Sequence, residues 1–381
     1  MPRGSRRSAE RDTREGGAPS GGTASASPAP VAATSTKPGV AGRPAPPDRV
    51  AAGAAPADGL SALAAPAEGP SALAATAARL RCPHCRAALA LALQGRVLCC
   101  SDGHRYDVAR RGHVSLLPPR ARALTGDSRE MVAARDAFLG AGHYARIATA
   151  VSLAAHDAVA PDAMAPDAVA PAAAVAPDAL AHDGVVSHEG GVGCVVDLGA
   201  GTGYHLAAAL ERLPGWWGLA LDASRPALQR AMRMHPRIAA VACDVWSPLP
   251  IRNAAVDLAL NVFAPRNGSE IARVLSPRGA LVVVTPTAQH LRQLVAAMGM
   301  LEVGAAKQVR LHAVLAPHLR PVRRRTLEFD LVLDRGDVRA LVAMGPSAHH
   351  VATYDLDRRL SLLPEAVTVT ASVVVETFRR A

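Results

Sequence analysis

The stretch VVDLGAGTG, Val195–Gly203, is an apolar run that closes on Asp197 and passes into Gly199, Gly201 and Gly203. An apolar run of this length bounded by glycines predicts a buried strand, and glycines alternating after it let the backbone turn tightly and approach a ligand with no Cβ in the way. A lone glycine-rich loop is a weak signal. It gains weight from Asp222, which ends the next apolar run 19 residues beyond Gly203, where a carboxylate accepts hydrogen bonds from ribose hydroxyls. Asp244 ends the third such run, placed either for an adenine amino group or for capping a helix.

Working outward, the elements alternate: strand CVVDLGAG, helix HLAAALERL, strand GLALDAS, helix PALQRAMRMH, strand IAAVACDV, strand AVDLALNVF, helix GSEIARVL and strand ALVVVTP. This βαβαβ rhythm predicts an α/β, doubly wound, mostly parallel sheet of Rossmann-like type. Two more strands, RTLEFDLVLD and AVTVTASVVVETF, follow, separated by a helix near RALVAM. Asp197, Gly199, Gly201, Thr202, Asp222 and Asp244 are the cofactor candidates, and GxGxG with these acids suits S-adenosylmethionine better than a dinucleotide, which prefers GxGxxG. NVFAPRN, Asn261–Asn267, falls at the carboxyl edge where open sheets place substrates, with Asn261 and Phe263 able to bind and stack a base, or Phe263 simply part of the core. His290, at the next strand end, either lines the same pocket or is structural.

Upstream, Cys82-x2-Cys85 and Cys100-x3-His104 are separated by 14 residues, the spacing of a tetrahedral, closed and therefore structural Zn²⁺ site. Cys99 competes for the third position; the gap to His104 favours Cys100. Six cysteines in a chain of 381 residues do not form a disulfide framework and point to a reducing compartment.

Composition sets the domain limits. Residues 1–77 are Ala, Pro, Gly and Ser with a near-repeat, GLSALAAPAEGPSALAAT, and are expected to be a disordered tail. The zinc-binding module spans 78–118, a helical linker 119–155, a low-complexity insertion with repeated APDA units 156–193, and the nucleotide-binding domain 194–381. A net charge of +10 favours an anionic partner such as nucleic acid. With no run of about 18 strongly apolar residues and no apolar core behind the Arg-rich start, the expectation is no membrane and a cytoplasmic location.

RCPHC (81–85), CCSDGHRYDVARRGHVSLL (99–117), MVAARDAFLGAGHY (131–144), VVDLGAGTG and NVFAPRN together resemble the 23S ribosomal RNA (guanine-N1-)-methyltransferase family. CDVW, NVFAPRN and MGPS look like its actinobacterial tylosin-resistance type rather than the enterobacterial type. The resemblance runs in order from about 81 to 381, broken only by the insertion, and leaves the first 77 residues unmatched. It implies a class I S-adenosylmethionine methyltransferase fold, structural zinc at Cys82, Cys85, Cys100 and His104, and a zinc module that recognises RNA. It also implies cofactor contacts by Tyr144, Gly201, Thr202 and His290, methylation of guanine N1 in a hairpin loop of 23S rRNA, and a homodimer. Macrolide resistance is a physiological consequence such a methyl group can have. Thr202 stands where some relatives carry an acid, and Ala200 where a Cys occurs; a loop lined by backbone tolerates both.

Two other functions fit parts of the pattern. A small-molecule methyltransferase shares the sheet but has no need of a metal-stapled module; a non-catalytic zinc-containing RNA-binding protein would not bind S-adenosylmethionine. An RNA enzyme, with Arg110, Arg111, Arg120 and Arg122 on phosphates, binds with a steep salt dependence. Guanine N1 carries a proton that must leave. Asp197, Asp244 and His290 are chemically able to accept it, but the sequence singles out none, and no catalytic base is assigned.

Overall fold

The computed structural model describes residues 71–117, 126–160, 193–301, 304, 307–345 and 353–381. Its frame is an eight-stranded sheet in the order β10-β11-β9-β8-β5-β6-β7-β4. The strands are β4 (Val114–Ser115), β5 (Cys194–Leu198), β6 (Trp217–Asp222), β7 (Ile238–Ala242), β8 (Val256–Val262), β9 (Leu275–Pro286), β10 (Leu319–Asp334) and β11 (Ala366–Arg380). From β4 to β9 all pairings are parallel; β11 runs antiparallel to β9 and β10 antiparallel to β11. Both CVVDL of β5 and IAAVA of β7 are buried at every position, the continuous apolar signature of strands covered on both faces.

Successive residues of each strand feed two cores. Val195, Ala220, Leu258 and Val282 face one core; Val196, Leu219, Ala259 and Leu281 face the other. The first core is covered by α2 (Arg129–Gly140), α3 (Ala145–Val159), α4 (Tyr204–Glu211), α5 (Arg225–Met234), α7 (Arg292–Met298), α9 (Arg335–Ala343) and α10 (Thr353–Ser361). Beneath the second lie α6 (Gly268–Val274) and α8 (Lys307–Leu315). Caps fix several of these starts: Ser128 accepts from Met131 N, Ser224 from Ala227 N, and Asp334 forms a capping box with Asp337.

No helix connects β7 to β8. The surface this leaves on the second face is filled from the amino-terminal side, by α1 (Ala72–Ala77), which packs on β6 and β7, and by the cysteine-bearing segment. That segment is a small antiparallel sheet, β1 (Ala90–Ala92), β2 (Val97–Cys99) and β3 (Arg105–Asp107). Leu80 bridges Ile251, Arg81 N donates to Pro250 O at 3.0 Å, and β4 joins the sheet edge beside β7.

Two domain limits shift as a result. Residues 72–77, assigned by composition to the tail, form α1, with Ala72, Leu73, Thr76 and Ala77 buried; small side chains here permit close packing on the strands rather than preventing order. The helix before the insertion runs to Val159, past the expected limit of 155. The tail to residue 70 and insertion residues 161–192 lie outside the described residues. Among the described residues no helix is long and apolar enough to cross a membrane.

Candidate active site and metal centre

At the carboxyl ends of β5, β6 and β8 a cavity of about 790 Å³ is lined by the glycine loop, by α2 residues and by the strand-end acids. Gly199 and Gly203 both have positive φ, and a Cβ would come within 2.6 Å of Ala264 Cβ at the first and 2.8 Å of Ala231 Cα at the second. The loop is therefore held between NVFAPRN on one side and α5 on the other, which only glycine permits.

Asp222 organises this loop: its carboxylate accepts Gly201 N at 2.9 Å and Ser224 N at 2.7 Å. Burial raises its pKa against those donors. Asp197 has no such help. Its Oδ1 is buried without a hydrogen-bond partner among the described residues, and burial, then the nearby Asp222, push its pKa up to about 8. A buried carboxyl with an open acceptor fits a ligand carrying a cationic donor, and the ammonium of S-adenosylmethionine is one. Without ligand, the folded state holds a proton that the unfolded chain releases at about pH 4, so stability falls as pH rises from there to about 8. Asp197→Asn is expected to flatten this dependence in thermal midpoints followed against pH; parallel curves for the two proteins would contradict the assignment.

Tyr144, His290 and Phe263 converge on the cavity from three distant segments. Ser372 N donates to His290 Nδ1 at 3.1 Å, which places the ring proton on Nε2, and that atom lies 3.2 Å from the Tyr144 hydroxyl. Tyr144 thereby accepts from His290 and keeps its own O–H for a ligand. Phe263 sits 6.1 Å from the Tyr144 ring and 5.9 Å from His290, centroid to centroid, with φ of 55°. Such a backbone angle is strained for an aromatic residue and turns its ring to the cavity mouth. Asn261 Nδ2 donates to Leu198 O and Pro265 O, tying NVFAPRN to β5, while its Oδ1 is buried without a partner among the described residues.

Asp244 lines the cavity but spends its oxygens locally, accepting from Trp246 N at 2.9 Å and the Ser247 hydroxyl at 2.7 Å. That turn presents Trp246, 64% exposed, at the rim. Thr202 is buried in the loop wall. The lining residues that sequence reasoning missed include Trp246, Arg135, His205 and Asp127. Burial, then the Arg135 charge, push the His205 pKa down to about 4. Neither spacing nor pattern marks these residues; the exposed tryptophan in a chain so poor in aromatics was the available signal.

On the second face of the sheet, Cys82, Cys85, Cys100 and His104 bring their ligand atoms within 4.8 Å of one another, and Cys99 is not among them. Cys85 Sγ lies 3.6 Å from Cys100 Sγ; a tetrahedron with Zn–S bonds of about 2.3 Å has sulfur–sulfur edges of about 3.8 Å. His104 offers Nδ1, 3.4 Å from Cys100 Sγ. The Tyr106 hydroxyl lies 3.0 Å from Cys82 Sγ. Burial opposes ionisation of Cys82, but donors at Cys85, Tyr106 and His84 outweigh it and bring the thiol down to about 7. The protein's own donors thus favour ionisation at Cys82 over its neighbour Cys85, while three thiolates so close need a dication to hold them. Arg110 and Arg111 follow the cluster at the surface; Arg120 and Arg122 lie outside the described residues.

A doubly wound sheet with a glycine loop, a strand-end acid on that loop and a half-open cavity at its carboxyl edge is an architecture suited to a nucleotide cofactor, here with a Cys/His metal cluster built against its core. The family model described as RlmA, N-terminal, a zinc ribbon, matches residues 80–123. A Micromonospora griseorubida protein carrying the name 23S rRNA (guanine-N(1)-)-methyltransferase is 47% identical over 79% of this chain and 97% of its own. The 23S rRNA (guanine(748)-N(1))-methyltransferase of Streptomyces fradiae is 44% identical over 77% and 94%. A solved Bacillus halodurans methyltransferase structure aligns at TM-score 0.38 and 14% identity over 50% of this chain and 93% of its own. This chain belongs to the 23S rRNA (guanine-N(1)-)-methyltransferase family, as its motifs led us to expect. The zinc-ribbon match and the Cys82, Cys85, Cys100 and His104 cluster together mark a structural zinc site.

Proposed function

We propose that this protein methylates N1 of a guanine in a hairpin loop of 23S rRNA, the nucleotide corresponding to the one numbered 748 in the name of the Streptomyces relative. The observation that carries this reading is the 44% identity across 94% of that relative, combined with a cavity holding the glycine loop, Asp222 and the Tyr144–His290 pair. Asp197, Gly199, Gly201, Thr202, Asp222, Asp244, Tyr144 and His290 form the cofactor site in this reading. Cys82, Cys85, Cys100 and His104 ligate the zinc.

Bound S-adenosylmethionine supplies an electrophilic methyl on a sulfonium. What the chain supplies is position, the larger part of catalysis for an in-line transfer. Asp222 and the glycine loop fix the cofactor end; Tyr144, held by His290, offers its hydroxyl proton to the ligand. A loop guanine, splayed from its stack, enters past Phe263 and Trp246, whose exposed faces suit stacking. The ribbon, with Arg110 and Arg111, lies on RNA phosphates. The protein acts in the cytoplasm, as a homodimer, and the methyl group confers tylosin-type macrolide resistance.

Mass mapping of ribosomal RNA from cells with and without the gene tests this directly. One added methyl at that guanine N1 is expected; an unchanged RNA mass map would overturn the reading. Trp246→Ala is expected to weaken RNA binding about 10-fold, the scale of one lost base stack, with cofactor affinity much less affected. RNA titrations of the two proteins that superimpose would remove Trp246 from the interface.

A further inference from the structure

We infer that Arg135 receives the carboxylate of the cofactor's methionine portion and so fixes which way round the cofactor lies; this rests on the reading of the cavity as an S-adenosylmethionine site. The lining carries four carboxylates, Asp127, Asp197, Asp222 and Asp244, and among the described residues Arg135 is its only arginine or lysine. S-adenosylmethionine has the matching inventory: a sulfonium and an ammonium for an acidic wall, and one carboxylate that needs a cation.

The guanidinium is placed for that contact. It lies over the glycine loop, so that a Cβ at Gly201 would come 3.0 Å from Nη1. Nη1 pairs with Asp127, and Nη2 donates to Met344 O at 2.6 Å, which pins the planar group between two segments and leaves N–H donors uncommitted. The first turn of α4 begins beside it, adding the partial positive charge of a helix amino terminus. In the same corner His205 Nδ1 is buried without a partner among the described residues. Every other charged group lining the cavity is an acid, so a carboxylate has a favourable place in this corner alone.

Calorimetric titration of the zinc-loaded protein with S-adenosylmethionine and with its decarboxylated analogue tests the assignment, because the ligands differ only in that group. Wild type is expected to prefer the carboxylated ligand by about 10-fold or more, the scale of a charge-assisted pair. Arg135→Gln should collapse that preference toward one by weakening S-adenosylmethionine, and Arg135→Lys should restore part of it. An Arg135→Gln variant that weakens both ligands equally would make Arg135 a scaffold residue and overturn the inference, as would a wild type without preference. The wild-type ratio needs no variant, so a variant that fails to fold cannot rescue the idea. Binding of neither ligand to wild type would instead overturn the underlying cofactor reading.

Discussion

Cys85→Ser is expected to lose its zinc and to lower the stability of the whole sheet, by several kcal/mol of the roughly 10–16 kcal/mol that structural zinc contributes in comparable modules. The reason lies in the shared core. Leu80, Leu89, Leu98 and Val114 of the amino-terminal segment pack in one cluster with Val196, Leu219, Val241 and Ile251 of the sheet. Releasing the metal frees Cys82 and Cys100, both buried, and uncovers the strand face that no β7–β8 helix protects. Elemental analysis together with a thermal melt checks this. A variant with no zinc but an unshifted melt would mean that apolar packing, not the metal, holds the ribbon in place. Methyl transfer should fall at least about 100-fold, because the fold that positions the loop is lost with the ribbon.

Asp222→Ala is expected to weaken S-adenosylmethionine binding about 100-fold or more while leaving zinc content unchanged. Both carboxylate oxygens hold backbone donors, Gly201 N and Ser224 N, and each charge-assisted bond is worth about 1.5–3 kcal/mol. Removing them leaves two N–H groups unpaired in a buried loop and, in the proposed cofactor site, also removes the ribose acceptor. Asp222→Asn, retaining one acceptor oxygen, should fall between. Calorimetry decides the matter: equal affinities for wild type and Asp222→Ala would mean the loop is shaped by its glycines alone. The zinc measurement separates this effect from that of Cys85→Ser, since the ligand cluster lies on the opposite face of the sheet.

Much of the site was legible because its chemistry depends on short spacings. Strand, glycine turn and following acid are one local unit, so Gly199, Gly201, Gly203 and Asp222 could be read together. Cysteine spacing similarly marked Cys82, Cys85, Cys100 and His104, and strand alternation explains why the sulfur of Cys100, just past β2, joins the cluster while that of Cys99 does not. Arg135 was illegible because in MVAARDAFL it resembles any arginine on the exposed side of an amphipathic helix; only the packing of α2 beside the glycine loop turns it inward. Asn261 shows a related limit: its residue type suits a base edge, but only the tertiary structure shows its Nδ2 committed to Leu198 O and Pro265 O, with Oδ1 buried and unpartnered among the described residues.

By itself, then, the sequence determined the parallel α/β order of β5 to β9, read from alternating local elements, and two features each carried by one short stretch: the glycine loop with its acid and a four-ligand metal cluster. Tertiary structure alone decided that the metal segment is part of the core rather than an appended module. It also decided that residues 72–77 belong to the fold and that β10 and β11 close the sheet as an antiparallel pair. These depend on contacts such as Leu80 with Ile251 and Tyr144 with His290. Such pairs are far apart along the chain, and nothing in either local stretch records the partner; burial of a common apolar face brings them together.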